Sequence, residues 1–265
     1  MTRSISATMA GVLERLELER PAIITSEELA QILKNEGIKT PTRVVAARLR
    51  DRGWLLPTLS NGVWEFVPAS SAGAFSSNDP LLPIKTLLKK NSNIKIGLTF
   101  QTAAWIHGIA DRIPLHPEVA IENAKITRLL PDSIYSSVFS PRLPCSILRG
   151  VPVLEPESVI VHMAAKPGAV RSWQSALEWL IDLANMLKIT SLLEEINDQN
   201  NAIIARTGYL LQGMRPDITD EILKTFEPKC KTWFGSRAPL IRHDNKWLIA
   251  DTLLPFDPRK LDTAI

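Results

Sequence analysis

The stretch TSEELAQILKNEGIKTPTRVVAARLRDRGWLLPTLSNGVWEFV, residues 25–67, decides the reading of this chain. Thr25-Ser26-Glu27-Glu28 has the form of a capping box, in which the Thr25 hydroxyl takes the amide three residues on and Glu28 reaches back. Leu29, Ile32 and Leu33 follow on one side of the helix so begun, and Asn35-Glu36-Gly37 stops it. Thr40-Pro41 predicts a second helix, with Thr40 as N-cap and Pro41 at the first helical position, where its missing donor costs nothing. Gly53 ends that helix in the left-handed position. A hairpin comes next, Trp54-Leu55-Leu56 and Val63-Trp64-Glu65-Phe66-Val67 joined through Ser60-Asn61-Gly62, and Asn-Gly is a strong short turn signal. Capped helix, turn, capped basic helix and hairpin, in that order, are what a winged helix-turn-helix needs to enter a DNA groove.

On a helical wheel Val45 and Leu49 fall together while Arg43 and Arg50 fall almost opposite, with Ala46 and Ala47 between. One side can pack and the other can read DNA, since small residues let a helix approach base edges closely. Thr42, Arg43 and Arg50 are the base-edge candidates. Arg48 and Arg52 flank the packing side within reach of phosphates, as do Lys39 and Thr40 at the helix entrance, and Asn61 marks the wing tip. The plainer alternative is a small helical module for protein contact whose charge is a solvated face.

Between Lys39 and Arg52 there are five basic residues against the single Asp51, whereas residues 1–70 as a whole hold nine basic against eight acidic. The basic footprint is one element, and the whole-chain net charge of +3 with an isoelectric point near 8.9 agrees with focused basicity. At 265 residues and 45% hydrophobic the chain has material for about two domains. Its two cysteines, Cys145 and Cys230, make no disulfide framework and no metal spacing, which fits a reducing cytoplasm. No apolar run approaches the roughly 18 residues of a membrane span. The N-terminus lacks a signal-peptide core.

Residues 1–68 therefore read as the winged head, with Met9, Val12, Leu13, Leu16 and Leu18 of an N-terminal helix closing its back. Residues 69–80 read as a small, polar linker, and residues 81–265 as a larger mixed α/β body, an α+β chain in total. Helices are expected over Leu81 to Lys90, Thr99 to His107 with Thr99 as cap and Gly108 as stop, Pro156 to Lys166, Trp173 to Leu187, Ser191 to Asn197, Ala202 to Gln212 and Asp217 to Phe226. Strands are expected at Ile94 to Leu98, Glu118 to Glu122, Ile134 to Phe139, Cys145 to Arg149, Thr232 to Phe234 and Lys246 to Ile249.

Catalytic constellations are weak. The four histidines, His107, His116, His162 and His243, are scattered, and His162 beside Val159, Ile160 and Met163 reads as packed or capping. Pro216-Asp217 with Glu227-Pro228-Lys229 imitates a metal-dependent nuclease signature, but Asp217 to Phe226 has helical spacing and Pro228 does not suit a central strand. Gly235-Ser236 resembles the opening of a nucleotidyltransferase, without the paired carboxylates that two-metal chemistry needs. No cofactor, no metal and no catalysis are expected. The alternative is a nucleic-acid-processing enzyme, a nuclease or nucleotidyltransferase targeted by the head. Arg128, Lys166, Arg171, Trp173, Arg206, Tyr209, Arg237 and Arg242 are basic or aromatic residues near turns, read either as ordinary surface charge and core aromatics or as a contact surface.

The order of these features resembles the AbiEi family, the antitoxins of AbiE-type abortive-infection, or type IV, toxin–antitoxin systems. The resemblance rests on the head with Gly62-Val63-Trp64-Glu65-Phe66, on Leu98-Thr99-Phe100-Gln101-Thr102-Ala103-Ala104-Trp105-Ile106-His107-Gly108-Ile109, on Val153-Leu154-Glu155-Pro156-Glu157-Ser158-Val159-Ile160 and on Arg206-Thr207-Gly208-Tyr209-Leu210-Leu211. It implies a transcriptional autorepressor that binds repeats in its own promoter, double-stranded DNA, as several copies of a monomer or weak dimer. It also implies a body that neutralises a cognate nucleotidyltransferase-like toxin, commonly without a stable complex, through a surface that takes in Arg128, Lys166, Arg171, Arg206 and Arg237. Carried over residue by residue, the groove-facing positions are Thr42, Arg43, Ala47 and Arg50, with Asn61 at the wing.

Overall fold

The computed structural model describes residues 7–71, 79–91 and 93–261, so most of the expected linker lies outside the described residues. The chain divides into two compact units, Met1–Ile94 and Lys95–Ile265, and is a mixed α+β protein with several sheets.

The first unit runs α1 (Ala7–Glu19), β1 (Ile23–Thr25), α2 (Ser26–Asn35), α3 (Thr42–Asp51), β2 (Leu55–Pro57), β3 (Val63–Phe66) and α4 (Leu82–Lys90). Met9, Val12, Leu13 and Leu16 of α1 repeat at helical spacing and are buried with Leu29, Leu33, Val45, Leu49, Trp54 and Phe66 in one apolar core. Leu18, expected on the same side, is 84% exposed, because two residues beyond Leu16 turn the wheel by about 200°. The capping box forms as read: the Glu28 amide donates to Thr25 Oγ1 (3.1 Å) and the Thr25 amide donates to Glu28 Oε2 (2.9 Å).

Both glycine stops of this unit are Schellman motifs. At Gly53 (φ 72°) the Gly53 amide donates to the Arg50 carbonyl and the Trp54 amide to the Leu49 carbonyl. Trp54 is thereby buried against Leu49, so it ends the helix where a strand was expected. Gly37 repeats the pattern with Ile38 bonded to Leu33. The start of α3 differs from the sequence reading. Pro41, with ψ 136°, is the N-cap and its carbonyl takes the Val44 and Val45 amides, while Thr40 makes no capping bond. Proline holds the extended backbone here, so the helix begins one residue later, at Thr42. The three strands form an antiparallel sheet in the order β1-β3-β2, pairing Ile24 with Trp64 and Leu55 with Phe66. Helix α4 packs against β1 and Lys89 pairs with Glu28, so this segment, read from sequence as the start of the body, belongs with the first unit.

The second unit carries β4 (Ile96–Leu98), α5 (Phe100–Ile106), β5 (Glu118–Ile121), β6 (Tyr135–Val138), β7 (Ser146–Leu148), β8 (Val151–Val153) and α6 (Pro156–Ala165). It continues through α7 (Trp173–Met186), α8 (Ile189–Ile196), α9 (Asn201–Leu211), α10 (Pro216–Thr225), β9 (Thr232–Phe234), β10 (Arg242–Asp244) and β11 (Ile249–Asp251). Strands β6-β5-β4-β8-β7 form a five-stranded mixed sheet and β10-β11-β9 a three-stranded one. Helix α6 is buried from Pro156 to Ala164, its polar Glu157, Ser158 and His162 included, and contacts α5, α7, α8 and α9. Strand β11 starts at Ile249, later than the expected Lys246, because the Asp244 side chain accepts the Trp247 amide (2.8 Å) and holds Asp244–Leu248 as a turn. The Trp247 ring lies against Gly208 of α9, where a Cβ would stand 2.1 Å from a ring carbon.

Candidate functional site

Helix α3 turns Val45, Ala46 and Leu49 into the core and leaves Arg43, Arg48 and Arg50 exposed. Ala46 was expected beside the reading face and is buried; Ala47, half-buried, is the small residue on the open side. Lys39 is exposed, and Thr40, Thr42 and Arg52 are half-buried. Arg50 stands 3.6 Å from Asp51, a loose pair, and among the described residues Lys39, Arg43, Arg48 and Arg52 have no ion-pair partner. Four cations along α3 and at its two ends, without ion-pair partners among the described residues, concentrate positive potential along that helix.

Thr42, Arg43, Ala47, Arg48 and Arg50 share a groove of about 830 Å³ with Ser26, Gly62 and Trp64. The hairpin turn is fastened to the start of α2: the Ser26 amide and hydroxyl both donate to the Gly62 carbonyl (2.8 and 3.2 Å). Gly62 has φ 77°, and a Cβ there would meet Ser26 Oγ at 2.9 Å, so glycine is required. The Thr58 hydroxyl donates to the Val63 carbonyl (2.8 Å) and braces the loop from inside. Asn61 is exposed at its tip, and Lys39, Thr40, Arg52 and Asn61 lie outside the groove lining.

The residues proposed from sequence for the body do not form one surface. Arg128, Lys166, Arg171 and Arg237 are exposed. Arg206 faces inward, donating from Nε to the Trp233 carbonyl (2.7 Å) and from Nη1 to the Ala164 carbonyl (3.4 Å), and burial pulls its guanidinium below its ordinary pKa. Arg242 pairs with fully buried Asp251 (2.6 Å), which also accepts from the Tyr209 hydroxyl (3.0 Å). Trp173 and Tyr209 are core residues.

Of the buried polar groups of the body, His162 is packed, one of the two readings made of it from sequence, whereas the roles of Glu118 and Glu195 escaped the sequence. His162 lies between the Phe100 and Phe139 rings, each centroid 4.3 Å away, with Nδ1 2.8 Å from the Thr99 hydroxyl and Nε2 2.7 Å from the Ser137 hydroxyl. A neutral imidazole has one donor and one acceptor, so one hydroxyl donates to it and the other accepts. Burial, aided by Lys166, lowers its pKa to about 3, so it is a packed neutral histidine. Thr99 therefore does not cap α5 with its side chain; Glu118 does, accepting the Gln101 amide (3.0 Å). Burial pushes the Glu118 carboxyl up to about 7 against the pull of that bond and of Arg171. Glu195 plays a comparable part, accepting the Leu143 amide (2.9 Å) and the Ser158 hydroxyl (2.8 Å). Asp217 lies in the first turn of α10 and pairs with Arg215 (2.8 Å), while Glu227 is an exposed loop residue beyond that helix. Among the described residues no helix is long and apolar enough to cross a membrane, and no group of three or more His, Cys, Asp or Glu is placed to hold a metal.

Comparison with known proteins places these features. The crystal structure of RV2827C protein from Mycobacterium tuberculosis shares the fold, with a TM-score of 0.73 over 96% of this chain and 94% of that one at 24% identity. Residues 95–213 match the family model described as the AbiEi antitoxin C-terminal domain. That match agrees with the resemblance seen in the sequence, and supports an antitoxin role in a toxin–antitoxin system, with a cognate toxin as the implied partner. No curated protein matches the chain.

Proposed function

We propose that the first unit is a winged helix-turn-helix and that the chain is a bifunctional antitoxin, binding repeats in its own promoter through α3 while the second unit neutralises a nucleotidyltransferase-like toxin. The observation that carries the DNA half is the exposed side of α3, with unpaired Arg43 and Arg48 opening on a groove closed by the Ser26-bound turn at Gly62. Arg43 and Arg50 lie about 10 Å apart along the axis, close to three base steps of a duplex. In this reading those two contact base edges, Lys39, Arg48 and Arg52 contact phosphates, Thr40 and Thr42 sit at the helix entrance, Ala47 allows close approach, and Asn61 reaches the backbone from the wing.

The test is retardation of the chain's own promoter fragment. Arg43→Ala and Arg50→Ala should each weaken specific binding by about 1–3 kcal/mol without changing the fold. A folded double variant that retards the fragment as well as the parent overturns the assignment. For the toxin-neutralising half, the support is the antitoxin domain at residues 95–213. Co-expression tests it directly: growth in the presence of the toxin should be restored by residues 95–265 as part of the full chain, and persistence of toxicity removes that half.

A further inference from the structure

A cleft of about 300 Å³ opens in the second unit between the loop that precedes β5 and the start of α7. Arg112 and Arg171 line it together with the largely buried Glu118, whose carboxyl Arg171 attracts, and among the described residues neither arginine makes an ion pair. The Arg171 guanidinium lies over the Tyr135 ring, 3.7 Å from its centroid, an arrangement that fixes the group while leaving its edge donors free for a carboxylate. Beside these cations Ile113 is 56% exposed and Leu115 88% exposed. The loop that presents them is pinned: the Arg112 carbonyl accepts from Gln101 Nε2 (3.5 Å), and His116 is 3.1 Å from the Ser133 carbonyl and edge-on to Tyr135.

Trp179, also in the lining, is only 3% exposed, and its indole N–H has no hydrogen-bond partner. A buried donor left unmatched is costly, and this one belongs to a residue of the cleft wall. The site thus offers two arginines and exposed apolar side chains together on a pinned loop, at a surface that no described segment of this unit covers.

We propose that this cleft is a docking site for a protein segment in which an acidic side chain is followed by an apolar one, the carboxylate held by Arg112 and Arg171 and the apolar side chain laid against Ile113 and Leu115. The partner is argued from charge complementarity and from the exposed leucine and isoleucine, which a free anion would leave in water. A single-stranded nucleic acid is the less suitable occupant, because it needs open aromatic faces for its bases and the Tyr135 face is already covered by Arg171. That the partner is the cognate toxin rests on the antitoxin reading of this unit; the chemistry of the cleft does not.

The test uses the full chain labelled with ¹⁵N and a capped hexapeptide of alternating glutamate and leucine, followed at the indole resonance of Trp179, which Trp179→Phe identifies. The peptide should shift that resonance. The glutamine–leucine analogue, and the Arg112→Ala/Arg171→Ala double variant whose other indole resonances are unmoved, should each bind about tenfold or more weakly, the worth of a charge-assisted hydrogen bond. No shift, equal binding of the glutamine analogue, or tighter binding of decauridylate overturns the proposal, the last in favour of nucleic acid. Toxin neutralisation by the folded double variant at parental strength would remove the cleft from toxin capture while leaving the antitoxin reading standing. Loss of neutralisation by the parent chain would instead overturn that reading alone.

Discussion

Replacing Glu118 by glutamine should stabilise the chain at alkaline pH and do nothing at acid pH. The carboxyl is 6% exposed and sits at the start of α5, accepting the Gln101 amide, with its pKa raised from 4.5 to about 7 mainly by burial. Below the unfolded pKa both states carry the proton and the group contributes no difference. As pH rises from 4.5 to 7 the unfolded chain loses the proton while the native state keeps it, so the native state binds more protons and stability falls. Above pH 7 the full penalty is present, roughly 3 kcal/mol from that rise at 1.36 kcal/mol per unit. A carboxamide in place of the carboxylate would keep an acceptor for the Gln101 amide and carry no charge. Urea unfolding of Glu118→Gln against the parent at pH 5, 6, 7 and 8 should show a stability gain that grows along the series toward about 3 kcal/mol. A gain independent of pH, or a parent more stable than the variant at pH 8, would refute the reasoning.

Three further outcomes follow from the packing. The His162 imidazole should stay neutral from pH 8 to the onset of acid unfolding, read from its ring ¹⁵N shifts, and a titration near 6.5 would contradict its burial between two phenylalanines; stability tied to it is complete above pH 6.5 and is lost as pH falls toward 3. Gly208→Ala drives a Cβ into the Trp247 ring and should cost about 1–3 kcal/mol or more, seen as a lowered Tm, whereas a parental Tm would mean that the ring moves freely. Arg206→Ala should lower the Tm by removing the bonds to the Trp233 and Ala164 carbonyls, while Arg128→Ala, at an exposed site, should leave it unchanged; equal effects would contradict the inward placement of Arg206.

Local chemistry was legible in the sequence where it depends on neighbours along the chain. The capping box at Thr25 and Glu28 and the left-handed stop at Gly53 are each decided by a few adjacent residues, and each has the form read from sequence. What escaped depends on distant partners. Strands β1, β8 and β10 went unread: each is three residues long and is defined by its pairing with another strand, β3, β4 and β7, or β11. The Thr99 hydroxyl is taken by His162, 63 residues on, which leaves capping to Glu118 from another strand. Thr40 failed as a cap because the extended Pro41 supplies the first helical carbonyl itself. The body's basic residues read alike in sequence, yet Arg206 binds carbonyls inside the unit whereas Arg171 lies over Tyr135 at the surface, a distinction made only by the fold.

The central claim is that α3 reads DNA with few cations, and the salt dependence of promoter binding tests it most directly. Three phosphate contacts, from Lys39, Arg48 and Arg52, give a slope of log affinity against log salt of about −3 for each head bound. Arg43→Ala/Arg50→Ala should erase the preference for promoter over scrambled DNA while leaving most of that slope in place. A slope near zero, or a double variant that keeps the preference, would contradict the account.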